Sequence, residues 1–571
     1  MRYTRPCMPR ILTSTGAWRL WAAATLSAGL LELPFPIAGP LPLWHTVFAW
    51  FGLAPLLYAV LSHMGTASEK RLRRAFLLGY LCGFLWYMGN CYWVRDTMAK
   101  YGGLPSIVPV LLLVGFSLVL GLYFGLFALA VALVRQASGS TRFALASAPF
   151  LWVALELSAA RITSVPWDQL GYSQVDNALV DQLAPWTGVY GISFVLVAVN
   201  ALIAGALVIE RCPPKPFWQS PRPWGIAGVA SMAIGVAGLT ISPPKPAGTA
   251  LAMLIQPNLD VGDESRWDGP GEWDQHIAGF THLAGEGCKS YIDGLPQTEA
   301  PSVVPECLAP ETARPPDLVV WPESPAPFDE SDPRFQKALG SIAQTVHAPL
   351  IVGNIGWSLD TAAREWDYFN SALVVGADGA RVGRYDKIHL VPFGEYVPFA
   401  KLLTFARKLT GRVSKFTRGE DRKVFRLATT NDGAHRYGIF ICYESVFADE
   451  VRHFAQLGAE VLVNISDDGW YGDTSAPWQH LNMVRMRAIE NRRWILRDTN
   501  NGVTAVIDPY GRVRQSIPRH QIDALPAQFA FRDDITFYTA HGDVFAWLCA
   551  LLGFGVVVWG TRRLLGQRIS G

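Results

Sequence analysis

Long apolar runs separated by short polar breaks fill the first 240 residues of this chain, and then the texture changes. Uninterrupted apolar stretches lie near 17–33, 44–62, 75–95, 107–134, 143–160, 188–209 and 223–241, with an eighth near 543–561. Each approximates the roughly 17–25 residues that a helix needs to cross a bilayer, and the fourth is long enough to tilt. Pro34 and Pro36 close the first one early. Between the seventh and the eighth, short strand-like runs take over at Ala250–Gln256, 317–321, 349–355, 370–376, 437–441, 459–465, 494–499 and 503–507. Ala377-Asp378-Gly379 and Asp508-Pro509-Tyr510-Gly511 carry hairpin-turn chemistry. A helix is predicted over Trp478–Arg492, where Leu481, Val484 and Ala488 recur at helical spacing. Strands interleaved with helices predict an α/β sandwich. The stretch 284–316, rich in Pro, Gly, Glu and Thr, reads as an inserted surface loop. The pattern divides the chain into a seven-helix transmembrane bundle (1–242), an α/β domain (243–541), and a last membrane helix with its tail (542–571).

Composition agrees with membrane spans. Of 571 residues half are hydrophobic and only 17% are charged, against roughly 25% in soluble domains. A formal net charge of +2 supplies no field for nucleic acid. The aromatic content, 29 Phe, 21 Trp and 18 Tyr, suits a membrane interface. Eight cysteines do not make a disulfide scaffold, and no CxxC, HExxH, P-loop or dinucleotide fingerprint points to a metal or cofactor. The basic, then apolar N-terminus imitates a signal peptide, but further spans follow at once, so it reads as a retained first helix.

Loop charges predict the orientation. Arg2, Arg5, Arg10 and Arg19 stand at the first span and Lys70, Arg71, Arg73 and Arg74 before the third. Arg135 and Arg142 flank the next connection of that side, Arg211, Lys215 and Arg222 the one after, and Arg562, Arg563 and Arg568 the C-terminus. The alternate loops are poor in Lys and Arg, and 161–187 holds Asp168, Asp176 and Asp181. By the positive-inside rule both termini are cytoplasmic and the α/β domain lies outside the cytoplasm.

Chemistry concentrates at three predicted strand ends. Tyr437-Gly438-Ile439-Phe440-Ile441 delivers Cys442 into Tyr443-Glu444-Ser445; Leu318-Val319-Val320-Trp321-Pro322 leads to Glu323; Arg384-Tyr385-Asp386 leads to Lys387. A buried strand fixes the backbone and the turn after it can present a sulfur. A thiol with a free pKa near 8.5 is only a few per cent thiolate at neutral pH, so attack on an acyl carbon needs help. A carboxylate can take its proton, and a lysine cation can stabilise both the thiolate and an oxyanion. Each residue alone also has a plainer reading: Cys442 as a buried core thiol, Glu323 as a surface carboxylate, Lys387 as a solvated loop charge.

Together these residues and their flanks resemble the bacterial apolipoprotein N-acyltransferases, whose catalytic domain is nitrilase-like, an αββα sandwich. The resemblance covers nearly the whole chain. It rests on Trp321-Pro322-Glu323-Ser324, Tyr385-Asp386-Lys387, Leu390-Val391-Pro392-Phe393-Gly394-Glu395-Tyr396-Val397-Pro398 and Cys442-Tyr443-Glu444. It continues in Asn464-Ile465-Ser466-Asp467-Asp468-Gly469-Trp470-Tyr471-Gly472, Pro477-Trp478-Gln479-His480 and Thr499-Asn500-Asn501-Gly502, and in the membrane part in Pro166-Trp167 and Gly171-Tyr172-Ser173-Gln174. The resemblance implies a phospholipid acyl donor, a thioester on Cys442, and transfer to the α-amino group of a diacylglyceryl-cysteine on an apolipoprotein. It implies no cofactor, a monomer in the cell inner membrane, and a catalytic domain facing the periplasm. Cys442 is then the nucleophile, Glu323 the base, and Lys387 the stabiliser of thiolate and oxyanion, with the Tyr443 N–H as a second donor. Glu395 is placed to hold Lys387; Glu444 is a supporting position, catalytic or structural. Trp267, on a mobile flap, and Trp470 and Tyr471 are implied to meet substrate. The chain departs from the family pattern at Glu156-Leu157-Ser158-Ala159, where an Arg is usual and the nearest is Arg161, and at Ala540. An intramembrane Glu156 is either functional or paired with Arg161.

Two other classes remain to be weighed: a membrane-tethered nitrilase-like amidase using water, and a transporter carrying a binding domain. Small cytoplasmic amides lie on the wrong side for the first, and continuous spans without paired broken helices disfavour the second. Cys288 and Cys307, the remaining cysteines of the outer domain, bracket the inserted loop and are expected to pair in an oxidising compartment. Residues 401–409 put Leu402, Leu403, Phe405, Ala406 and Leu409 on one helical face, predicting a membrane-facing cover over the site.

Overall fold

The computed structural model describes residues 17–62, 69–102, 105–209, 221–242, 245, 248–261, 271–286, 315–323, 328–360, 365–396, 416–429 and 433–569. Trp267, Ser324, Val397, Pro398, Cys288, Cys307 and the expected cover at 401–409 lie outside the described residues. The chain forms two compact units: residues 1–95, 106–242 and 541–571 in one, 96–105 and 243–540 in the other.

The first unit is helical. Among the described residues, six segments are long and apolar enough to cross a membrane: Leu43–Leu61, Ile107–Ser138, Thr141–Thr163, Val189–Val208, Arg222–Thr240 and Val544–Gln567. The other two expected spans are helices as well, Ala17–Glu32 and Glu69–Asn90, but the first is short and the second begins with the charged Glu69-Lys70-Arg71-Leu72-Arg73-Arg74. The expected 75–95 span stops at Asn90, and a separate helix covers Trp93–Tyr101. Helix Glu69–Asn90 meets Ile107–Ser138 through glycine: a Cβ on Gly79 would come within 2.3 Å of the Phe124 carbonyl. Small residues allow such close approach of helices in a bilayer.

Where Leu43–Leu61 breaks between a 3₁₀ turn and an α-helix, the backbone takes side-chain partners as well. Asn200 supplies them: its Oδ1 accepts from Leu53 N at 2.8 Å and Ala54 N at 2.9 Å, and its Nδ2 donates to the Ala49 carbonyl. In a medium without water that satisfaction has to come from protein. The Glu156–Arg161 pairing does not form. Arg161 sits in a π-helical turn and pairs with Asp543 at 2.6 Å, while Glu156 accepts from Trp152 Nε1 at 2.8 Å and Leu170 N at 2.9 Å. Five residues apart, the two side chains lack the i,i+3 or i,i+4 spacing that lets helix neighbours meet.

Among the described residues, the second unit holds two six-stranded sheets. One runs in the order β12 (Asp523–Phe529), β1 (Ala250–Gln256), β2 (Leu318–Val320), β3 (Leu350–Asp360), β4 (Glu365–Val375), β5 (Arg381–Asp386). The other runs β11 (Val513–Ile517), β10 (Thr504–Ile507), β9 (Trp494–Thr499), β8 (Val461–Ser466), β7 (Gly433–Ile441), β6 (Val424–Thr429). β1, β2 and β3 are parallel neighbours, as are β7, β8 and β9; the flanking pairings are antiparallel. Alternate residues of the two sheets share a core, with Ala252, Leu254, Val320 and Ala372 meeting Ile439, Ile441, Val463 and Leu496. Helices Glu272–Glu286 and Pro333–Val346 close a second core against the first sheet, where Phe280, Phe335 and Leu339 pack with Val319, Trp321 and Val352. Helices Ala448–Gln456 and Ala476–Asn491 adjoin the second sheet, Phe454 lying where a Cβ on Gly438 would be 2.6 Å away. The stretch expected as a loop from 284 begins as the last turn of helix Glu272–Glu286. The central strands β2 and β8 are buried at every residue, which is why they read as unbroken apolar runs.

Candidate active site

Strand β7 is exposed at its start and buried over its last five residues, so it carries Cys442 from the surface into the core. There the chain turns at once. Cys442 has φ of 47°, in the left-handed region, and opens a 3₁₀ turn through Val446. Glu323 follows β2 and Lys387 follows β5, so the three strand ends picked out from sequence converge in one unit. All are nearly inaccessible: Cys442 is 5% exposed, Glu323 6% and Lys387 1%.

The Lys387 ammonium donates to Glu323 Oε1 and to Glu395 Oε1, both at 2.9 Å. Asn370 Nδ2 bridges the same two oxygens at 2.6 and 2.7 Å, and its backbone carbonyl accepts Lys387 N at 2.9 Å. Glu323 Oε2 accepts the Asp467 N–H at 2.9 Å, and the Cys442 thiol lies close enough to feel the charges of both Glu323 and Lys387. Glu395 Oε2 is held by the Val391 N–H at 2.7 Å.

Charge follows from these contacts. Burial alone would raise the Glu323 pKa and lower that of Lys387, but each is overruled by the other: Glu323 is held below the usual carboxylate range and Lys387 well above the usual ammonium range. Burial pushes the Cys442 thiol well up, and the Glu323 charge adds to it while Lys387 opposes. The resting arrangement is therefore a protonated thiol beside a carboxylate and an ammonium. Such a group can pass its proton to the carboxylate as sulfur attacks, and the ammonium can meet negative charge developing nearby.

Behind the sulfur lies a second polar network. Asp468 Oδ2 takes Arg497 Nη2 at 2.6 Å, and its Oδ1 faces His480 Nδ1 at 2.9 Å. His480 Nε2 lies 3.0 Å from the Cys442 carbonyl and 2.6 Å from Ser445 Oγ. Burial would raise the Asp468 pKa, but Arg497 and His480 hold it far below the usual range. Glu444 is wholly buried and turned to backbone: it accepts from Ile441 N, Ile388 N, His389 N and Tyr385 Oη.

Tyr443 is buried beside Cys442 with its ring edge-on to Phe447 at 5.3 Å. Tyr471 is buried, its hydroxyl pKa raised by burial and by the Cys442 charge. Trp470, 45% exposed, sets its ring against Tyr101 instead. Asn370, Asp467, Asp468, His480 and Arg497 were not singled out as site residues from sequence. A polar side chain at an inward position of a predicted strand, as Asn370 is in 370–376, was the available signal.

The sequence comparisons agree with one another. Residues 27–202 match the family model described as apolipoprotein N-acyltransferase N-terminal domain, and 263–528 match that described as carbon-nitrogen hydrolase. The chain is 34% identical over 556 residues to the apolipoprotein N-acyltransferase of Geobacter metallireducens, covering 95% of this chain and 96% of that one. It is 31% identical to the apolipoprotein N-acyltransferase of Pseudomonas putida, over 88% of this chain and 91% of the other. With identity of that order along almost its entire length, the chain belongs to the apolipoprotein N-acyltransferase family.

Proposed function

We propose that this chain moves an acyl group from a membrane phospholipid, through a thioester on Cys442, to the α-amino group of the N-terminal diacylglyceryl-cysteine of an apolipoprotein. The observation that carries the reading is the Glu323–Lys387–Glu395 cluster against the Cys442 thiol, within a chain of this family. In the first half-reaction Glu323 takes the thiol proton while Sγ attacks the ester carbonyl, and Lys387 with the Tyr443 N–H receives the oxyanion. The intermediate collapses, the lysophospholipid oxygen leaves with the proton from Glu323, and the thioester remains. In the second half the acceptor amine attacks the thioester carbonyl and gives its proton to Glu323. The Cys442 thiolate leaves beside Lys387 and is reprotonated. Phospholipid product departs before the acceptor enters, so one pocket serves both.

We read the remaining features with this activity. Eight spans, with Ala17–Glu32 and Glu69–Asn90 added to the six apolar ones, divide the chain into 1–242, 243–541 and 542–571. The Lys and Arg distribution supports cytoplasmic termini in the inner membrane and a periplasmic catalytic domain. The enzyme acts as a monomer, with no nucleic-acid partner, and Trp267, Trp470 and Tyr471 meet lipid. Reporter fusions at Gly139 and near Gly433 check the topology; a cytoplasmic signal near Gly433 removes the proposed substrate.

The test of the chemistry uses membranes, labelled phospholipid and no acceptor. Wild type accumulates label on Cys442 that hydroxylamine releases, Cys442→Ala none, and Glu323→Gln none. Lys387→Ala loses at least the roughly 10²–10³-fold typical of a missing oxyanion donor. Normal transfer by Cys442→Ala, or lysophospholipid appearing only after acceptor binds, overturns the mechanism. Release of free fatty acid in place of stable label favours the hydrolytic amidase-type reading.

A further inference from the structure

Residues 96–105 lie between helices of the membrane unit in sequence, yet fold with the catalytic unit. Tyr101, at the end of helix Trp93–Tyr101, donates its hydroxyl to the Gly469 carbonyl at 2.7 Å and sets its ring edge on Trp470 at 5.0 Å. The Lys100 ammonium lies 5.0 Å over the same ring. Gly469 belongs to the tight turn that follows β8. Its carbonyl also accepts the Gly472 N–H, and its own N–H is capped by Asp467 Oδ1 at 3.0 Å. Asn500 Nδ2 holds the other Asp467 oxygen at 3.2 Å. A Cβ on Gly469 would fall 2.3 Å from Val261 and 2.5 Å from Asn501, so the turn has one place to sit.

What this turn presents to the reacting groups is the Asp467 N–H, which donates to Glu323 Oε2. We propose that Tyr101 is a positioning residue for Glu323: by fixing the Gly469 carbonyl, it aims the Asp467 N–H at the carboxylate that takes the Cys442 proton. The proposal rests on Glu323 acting as that base. Tyr101 touches no reacting atom and acts through the turn. A hydrogen bond to a carboxylate favours its charged form. Slackening the turn therefore makes Glu323 a stronger proton holder and moves the acid limb of Cys442 reactivity to higher pH.

The test is the pH profile of iodoacetamide alkylation of Cys442, read by peptide mass spectrometry on the full-length protein in detergent. Tyr101→Phe keeps the ring and removes the one hydrogen bond. Its alkylation rate on the acid limb is expected to fall roughly 2–12-fold, the factor equivalent of one net hydrogen bond, with the limb displaced to higher pH. The phospholipid KM stays within about twofold, since no substrate contact is lost. Gly469→Ala, which pushes the same carbonyl aside, is expected to shift the limb in the same direction. A Tyr101→Phe profile superimposed on wild type overturns the proposal, as does a raised KM with the limb unmoved. Alkylation needs no lipid, so this outcome is independent of where the acyl group goes. A wild-type Cys442 with no acid limb would instead remove Glu323 as its base, and the proposed mechanism with it.

Discussion

The Glu444 carboxylate accepts the backbone N–H of Ile388 at 2.6 Å, so the residue two places after Cys442 holds the residue one place after Lys387. Its other oxygen takes the N–H of Ile441, just before the sulfur, at 2.6 Å. One buried side chain thus ties two strand ends from different sheets. Burial raises the Glu444 pKa to about 7, so each of these bonds is worth about 0.5–1.5 kcal/mol net, and a buried N–H left unpaired costs about 1–3 kcal/mol. Glu444→Gln is expected to lower the melting temperature together with Cys442 acylation. Unchanged melting with lost acylation would give Glu444 a chemical role.

Asn370 lets Glu323 and Glu395 share one ammonium. Replacing it with Asp sets a third carboxylate against the same Lys387, and like charges at that separation force protons onto the group. Asn370→Asp should slow Cys442 acylation at least about tenfold at neutral pH, with partial recovery as pH rises. A flat pH dependence would place Asn370 outside the proton inventory of the site.

The Asp468–Arg497 pair has no exposed surface on either side chain. Removing one partner of such a pair costs about 3–5 kcal/mol, whereas removing both is often tolerated. Asp468→Asn alone should therefore destabilise the fold more than Asp468→Asn with Arg497→Met. Thermal unfolding of the three variants decides it, and additive losses would count against a buried charge pair.

Glu450 provides the pH dependence. Burial would raise its pKa, but His389 and Arg422 hold it down at about 2, against a usual 4.5. A depressed carboxylate pKa favours the folded state above about pH 4.5, and the gain is lost as pH falls through about 2. At 1.36 kcal/mol per unit the contribution near neutrality is about 3 kcal/mol. Glu450→Gln should lose that stability at pH 7, and its deficit against wild type should shrink as pH drops below 4.5. A deficit constant from pH 7 to pH 3 would refute the assignment.

Legibility from sequence followed burial. Central strands such as β2, β8 and β9 were readable because every residue is buried. β11 and the first half of β5 were not, since these edge strands are exposed at their start and carry Arg381, Arg514 and Gln515. β12 hides behind Pro526, which sits within its run. Glu323 and Cys442 stood out because each ends an apolar run, and Lys387 because it closes the Tyr385-Asp386-Lys387 motif. Asn370 and Arg497 lie inside such runs, where one polar residue looks like noise until its partner across the domain is known. His480 and Asp468 stand within motifs, and nothing local shows that they meet beside Cys442.

Cys442 holds its left-handed backbone at a position where a side chain with Cβ costs roughly 1–2 kcal/mol and glycine does not. The fold and the proposed reaction thus ask for different residues at one site. On the proposed mechanism, a lineage freed from the need for acylation would gain by drifting to glycine there, trading the sulfur for a relaxed turn. Cys442→Gly should accordingly melt higher than Cys442→Ala, two variants equally without sulfur, and the gap between them measures what the sulfur's placement withholds from stability.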